Sequence, residues 1–193
     1  MSPLVTIYLL WLVWIMSWIL AAMWVNPTIK RAGLTRELLY RALVLAGYLF
    51  LFGLISTRYD MIYRFWRTQT GALGWVMVAL VAIGFSFCWW ARIHLGPLWS
   101  SGITRKSSHH VIATGPYAVV RHPIYTGITL AALATAVVHG APTSFLGAAL
   151  MTTGWYIKAR LEERFLREEI GPETYDAYAR RVPMLVPFVR WPT

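Results

Sequence analysis

The sequence predicts an all-α integral membrane protein: five transmembrane helices, the last two forming a short C-terminal helical hairpin, with cytoplasmic amphipathic tail helices. Three observations predict it. The 193 residues are 58% hydrophobic and 13% charged, with a mean hydropathy of +0.52, whereas a soluble domain carries about 25% charged residues. The uncharged runs have the length of bilayer spans. The cations gather in one set of loops.

The spans follow in order. Leu4–Val25 holds 22 residues and no charge. At about 1.5 Å per residue it reaches roughly 33 Å, enough for a hydrocarbon core of about 30 Å. It is too long for a typical cleaved signal peptide and lacks the cationic region that precedes one. Trp11, Trp14 and Trp18 share one face at mid-span, where an interfacial belt would not place them, and are expected to pack on another helix. Leu38–Thr57 is the second span, with Arg41 near one end where it can snorkel. Ala72–Ala91 is the third. Pro123–Ile157 runs 35 residues without a formal charge and is broken by "HGAPTS" at 139–144, where Gly and Pro mark a turn. It reads as two antiparallel helices of about 14 to 16 apolar residues, roughly 21 to 24 Å each. That is short for a span unless the ends run on into charged sequence. Gly127, Ala131 and Ala134 line the first arm with small residues that allow close helix contact.

Five spans put fifteen cations on one side and only Arg58, Arg64 and Arg67 on the other. This predicts an N-terminus outside and a C-terminus in the cytoplasm, in a bacterial-type inner membrane or its equivalent. Residues 1–70 then form an N-terminal unit of two helices and residues 71–193 the functional core.

The net charge of +10 does not imply nucleic acid, because the cations are scattered through loops and a C-terminal segment that also holds six of the eight acids. They read as topology signals and headgroup contacts. Cys88 is the one cysteine and lies in an apolar run, which excludes internal disulfides and cysteine-based metal sites. No span carries a central acid, which argues against an ion pump.

The polar chemistry lies in three cytoplasmic stretches. Residues 94–117, "HLGPLWSSGITRKSSHHVIATGPY", read as a loop over the membrane surface. His109 and His110 are adjacent, which does not suit ligation from one helix, so they read as a surface pair or a cofactor contact rather than a metal site. In "GPYAVVRHPIYTG", residues 115–127, Pro123 suits a first helical turn and extends the residue before it. Arg121 and His122 then stand at a helix N-terminus, which favours an anionic group; alternatively Arg121 snorkels to lipid phosphate. The third stretch, "KARLEERFLREEIGPETYDAYARRVPMLVPF" at 158–188, leaves the membrane at Lys158 as an amphipathic helix that ends at Gly171 and Pro172. A shorter helix with Tyr175 and Tyr178 follows, stopped by Pro183. Glu162 and Glu163 stand at the membrane edge beside Lys158 and Arg160, as a catalytic constellation or a salt-bridged surface helix. Both ends of a hairpin lie on one side, so Arg121, His122 and Tyr125 should meet Glu162 and Glu163.

With these residues, the sequence resembles the isoprenylcysteine carboxyl methyltransferase family and the related phospholipid methyltransferases over roughly residues 86–190. The resemblance is carried by "LGPLWS" at 95–100, "HHVIATGPYAVVRHPIYTG" at 109–127, "EERFLREEIGPETYDAY" at 162–178 and "RVPMLVPF" at 181–188. It implies S-adenosylmethionine as methyl donor, bound without a Rossmann unit; the chain has no strand–Gly-x-Gly-x-x-Gly–helix pattern. Carried over position by position, the cofactor contacts are His109, His110, Val111, Ile112, Tyr117, His122, Pro123, Ile124, Tyr125 and Glu162. The family's substrate-contacting arginine falls at Lys158, with Arg160 as a possible substitute. Arg121 and Glu163 complete the expected catalytic set; Glu163 or His122 is a candidate base if the acceptor is an amine or thiol. The implied reaction is methyl transfer to a lipid-tailed or other membrane-embedded acceptor, and the implied partners are the bilayer and a lipid or lipid-modified substrate, with no nucleic acid. Two other readings stand beside it: an NADPH-dependent membrane reductase of the sterol-reductase type, for which 193 residues are few, and a non-catalytic lipid-binding membrane protein.

Overall fold

The computed structural model describes residues 1–23, 28–31, 34–55, 60, 63–66, 71–99, 104–106 and 112–189. Helix α1 (Pro3–Ala21) starts at Ser2, whose hydroxyl accepts from the Val5 N–H, with Pro3 in the first turn. Strand β1 (Thr28–Arg31), α2 (Leu34–Leu51) and α3 (Ala72–Leu95) follow. After a 3₁₀ turn at Gly96–Leu98 come β2 (Thr104–Lys106), the single-turn α4 (Pro116–Val119), the hairpin α5 (Pro123–His139) and α6 (Pro142–Ile170), and α7 (Pro172–Arg181).

Helices α1 and α3 are long and apolar enough to cross a membrane, and α5 is a shorter apolar helix. Helix α1 leaves Leu9, Leu12, Val13, Met16, Ile19 and Leu20 exposed. A contiguous apolar surface of this kind belongs against lipid or another apolar partner.

The tryptophan stripe of α1 faces inward. Trp11 is edge-on to Phe85 at 4.8 Å and Trp14 stacks on it at 5.0 Å, while Trp18 meets Trp89 and Trp99. The Trp11 indole N–H donates to Thr135 Oγ1 at 3.0 Å, which pins α1 to α5. This is the interhelical packing expected of mid-span tryptophans.

Two glycine crossings set the remaining contacts. A Cβ on Gly84 of α3 would stand 2.5 Å from the Gly127 carbonyl oxygen of α5. A Cβ on Gly147 of α6 would stand 2.7 Å from the Gly47 oxygen of α2. Backbone touches backbone at both places, and Ala131 and Ala134 are buried beside the first.

Helix α3 continues one turn past the uncharged run because Arg92 is absorbed there. It is fully buried and donates to the carbonyls of Ala21 at 2.6 Å and Gly96 at 2.7 Å, with its guanidinium 4.8 Å from the Trp99 ring. The Ala21 carbonyl closes α1, where a helix end leaves such groups without an intrahelical partner.

The hairpin turns at Gly140, which takes the left-handed conformation at φ 66° and caps α5. Helix α6 then runs 29 residues without interruption, about 43 Å at 1.5 Å per residue. The short apolar arm is thus the first half of a helix that extends well beyond it.

One expectation needs correction. Among the described residues the regular structure is helical except for β1 and β2, which pair antiparallel with Thr28 opposite Lys106 and Arg31 opposite Thr104. Residues 94–117 are therefore not wholly loop. The sequence hides this ribbon because "TIKR" and "TRK" lack the apolar alternation of a half-buried strand.

Candidate functional site

The site forms where the start of α5 meets the middle of α6. Pro123 opens α5; Val120 is extended, and His122 directly before the proline takes φ −126° and ψ 64°. Residues 121 and 122 are paired by the chain's C-terminal segment: Arg121 N–H donates to the Pro183 carbonyl at 2.8 Å and His122 N–H to the Met184 carbonyl at 3.1 Å. Thr126 Oγ1 adds a bond to the Leu185 carbonyl at 2.6 Å. Residues 183–185 thus act as a strap that holds Arg121 and His122 in place.

Helix α6 supplies Lys158, Glu162 and Glu163. Four residues bring Lys158 and Glu162 onto one face, and Glu163 lies about 100° around from Glu162. Tyr125 donates its hydroxyl to Glu162 Oε1 at 2.7 Å. Lys158 Nζ lies 3.8 Å from the same oxygen. His122 stands between the carboxylates, with Nδ1 3.6 Å from Glu162 and Nε2 3.2 Å from Glu163. Arg121 donates to Glu163 Oε1 at 2.7 Å and to the carbonyls of Ala179 and Val182 at 2.8 and 2.6 Å.

Above this charged floor the aromatic rings form a ladder. His122 stacks on Tyr125 at 5.5 Å, and Tyr125 stacks on Trp155 at 5.1 Å, both within 10° of parallel. Lys158 Nζ lies 5.4 to 5.6 Å from the ring centres of Tyr125, Tyr40 and Trp155. Three rings around one cation are an arrangement that attracts positive charge. The Trp155 indole nitrogen is buried without a hydrogen-bond partner among the described residues.

The charged groups lie beyond the apolar arms, which end at Pro123 and Ile157. Burial opposes the Glu163 carboxylate, but the hydrogen bonds from His122 and Arg121 outweigh it and hold its pKa down to about 2. Burial likewise opposes Glu162, yet His122, Lys158 and Tyr125 hold its pKa below the usual value. Burial works against the His122 imidazolium, and the two glutamates overcome it, so its pKa is raised. These shifts favour an imidazolium at His122 between two carboxylates. Glu162 is the more open of them, with 21% of its side chain exposed against 10% for Glu163.

The expected site residues fall as follows. Arg121, His122, Tyr125, Lys158, Glu162 and Glu163 converge. Ile124 packs beside Tyr125, Ala159 and Met184. Tyr117 borders the cluster: its carbonyl accepts from the Tyr178 hydroxyl at 2.7 Å and its ring stacks on His94. Its phenol is pushed up by burial and then by the charge of Glu162. Ile112 is half-buried, and His109, His110 and Val111 lie outside the described residues. Arg160 is exposed on another face of α6 and lines a hollow with Arg121 and Glu163 instead of joining Lys158 and Glu162.

Two participants on α2 escape sequence reasoning. Tyr40 forms one wall of the Lys158 cage, and its hydroxyl donates to Glu37, which also pairs Arg41. Their only signal is "RELLYR" at 36–41, a glutamate–arginine pair flanking an aromatic at the mouth of a span.

A model of the isoprenylcysteine carboxyl methyltransferase family matches residues 76–168. Protein-S-isoprenylcysteine O-methyltransferase B of Arabidopsis thaliana is 33% identical over 88 residues, 45% of this chain and 44% of that protein. A probable protein-S-isoprenylcysteine O-methyltransferase of Oryza sativa subsp. indica is 33% identical over 113 residues, 58% of this chain and 53% of that protein. Methanethiol S-methyltransferase 2 of Bradyrhizobium diazoefficiens is 44% identical over 72 residues, 37% of this chain and 26% of that protein. The chain thus spans about half the length of the first two and less of the third. The solved structure of the eukaryotic intramembrane Ras methyltransferase, isoprenylcysteine carboxyl methyltransferase, superposes with a TM-score of 0.55 at 19% identity, covering 80% of this chain and 54% of that one. That likeness is one of fold.

Proposed function

Because this integral membrane chain belongs, through residues 76–168, to the isoprenylcysteine carboxyl methyltransferase family, we propose that it transfers a methyl group from S-adenosylmethionine to a membrane-embedded acceptor, with the donor entering from the cytoplasm. The observation that carries the reading is the Tyr125–Glu162 bond at 2.7 Å, which joins the two ends of the hairpin. The five long helices serve as spans, and the excess of cations in the loops on the C-terminal side supports an N-out, C-in orientation.

The residues present fit the donor. Glu162, the more open carboxylate, pairs its ammonium. The N–H groups at the start of α5 suit its carboxylate. Tyr117 and Tyr125 offer ring faces to its adenosine and sulfonium. The orphan Trp155 N–H offers a donor in the same wall. When bound, the cofactor supplies an electrophilic methyl on a cationic sulfonium.

The chain's own work is alignment and exclusion of water. An in-line displacement gains most from fixed approach of nucleophile and methyl. Arg121 and the 183–185 strap fix His122, which orients both glutamates. Lys158 is the buried cation on the acceptor side, fit to orient an anionic acceptor such as a carboxylate, which needs no base. The aromatic cage and the small-residue crossings keep water out while leaving side access from the bilayer.

The test is transfer of labelled methyl from S-adenosylmethionine into total membrane lipid and protein, with mass spectrometry of the labelled product. The reading expects one labelled lipid-soluble species with wild type and none with Glu162→Gln. Equal labelling by both would overturn it.

A further inference from the structure

We propose that the outward face of α6, just past its apolar arm, binds the phosphate of an anionic membrane lipid. The inference does not rest on the methyl-transfer reading. Arg160, Arg164 and Arg167 recur at i, i+4 and i+7 on one helix face. With Arg121, Glu163 and Ala179 they line a hollow of about 60 Å³. Glu163, the acid that borders it, is already engaged by Arg121 and His122, and Asp176 pairs Arg167 at 2.6 Å. Arg160 and Arg164 are exposed and have no ion-pair or hydrogen-bond partner among the described residues.

Like charges one turn apart repel, so this stripe destabilises the isolated helix. A shared anion reverses the sign of the effect. The guanidinium fork matches phosphate oxygens in pairs, which an ammonium cannot do.

Height along α6 selects the source of the phosphate. Arg160, Arg164 and Arg167 lie about 5, 11 and 15 Å beyond Ile157 at 1.5 Å per residue. The headgroup layer extends roughly 5 to 8 Å past the hydrocarbon core on each side. Long helical side chains lean toward the helix N-terminus, and the N-terminal half of α6 is the apolar arm. All three guanidinium groups therefore lean back toward headgroup depth. Arg121 and Glu163 form the floor of the hollow, so a bound phosphate lies one side chain from the His122–Glu162 pair.

The experiment is native mass spectrometry of the full chain in a neutral maltoside detergent, titrated with a phosphatidylglycerol. Wild type is expected to retain one lipid. The variant R160Q/R164Q should bind it about tenfold more weakly, as expected for the loss of one or two charge-assisted bonds. The variant R180Q/R181Q removes the same charge from exposed α7 positions and should bind like wild type. Phosphatidylcholine should bind as weakly as the lipid does to R160Q/R164Q. Unchanged retention by R160Q/R164Q, an equal loss in R180Q/R181Q, equal binding of phosphatidylcholine, or displacement of the lipid by equimolar inorganic phosphate would each overturn the proposal.

Discussion

Arg121, two residues before α5, and Glu163, on α6, are joined side chain to side chain at 2.7 Å with each about nine-tenths buried. The same glutamate oxygen meets His122 at 3.2 Å. An arginine and a histidine thus share one buried acid, and the histidine also reaches Glu162 at 3.6 Å.

The pH dependence of stability follows from this cluster. Glu163 has its pKa depressed from 4.5 to about 2, so its contribution is complete above 4.5 and is lost as pH falls toward 2. His122 has its pKa raised from 6.5, so its contribution is complete below 6.5 and is lost as pH rises through the elevated folded value. Melting temperature in detergent should therefore be highest between the two limbs. Glu163→Gln should flatten the acid limb, and an unaltered acid limb in that variant would contradict the assignment.

Arg121→Met should destabilise by about 1.5 to 3 kcal/mol, as for the loss of a hydrogen bond to a charged group, because Glu163 keeps His122. It also frees the Ala179 and Val182 carbonyls. Limited proteolysis should then cut residues 183–189 earlier than in wild type, because the side chain ties the end of α7 to the strap. Arg121→Lys keeps the charge but not the fork and should fall between the two.

Gly127→Ala should cost about 1 to 3 kcal/mol through overpacking, because its Cβ would meet the Gly84 carbonyl and the Cys88 sulfur. Gly71→Ala, where a Cβ meets nothing within 4 Å, should leave the melting temperature unchanged.

Lys158→Met tests the acceptor side. The proposed role predicts a fall in kcat/KM for the acceptor of about tenfold or more, as for a lost charged hydrogen bond, with donor affinity little changed. Steady-state kinetics with both substrates varied separates the two effects.

The hairpin was legible because an uncharged run of 35 residues with Gly140 and Pro142 at its centre admits few other readings. Its topology alone brings residues 121–125 to residues 158–163. What stayed hidden depends on distant packing. Tyr40 and Glu37 join the site only because Gly47 and Gly147 let α2 and α6 touch. Arg92 reads as the end of α3 until the carbonyls of Ala21 and Gly96 are seen to claim it. The 183–185 strap pairs backbone to backbone, which side-chain patterns do not report. Arg160 and Lys158 look interchangeable in sequence, but two residues on a helix differ by about 200°, and only Lys158 faces Glu162.

The central claim is that Tyr125 and Glu162 together bind the methyl donor, and calorimetric titration of S-adenosylmethionine into the purified protein tests it most directly. The account predicts at least about tenfold weaker binding for Glu162→Gln, as for a lost charge-assisted bond, and a smaller loss for Tyr125→Phe, measured at a temperature where both variants remain folded. Wild-type affinity in both variants would contradict it.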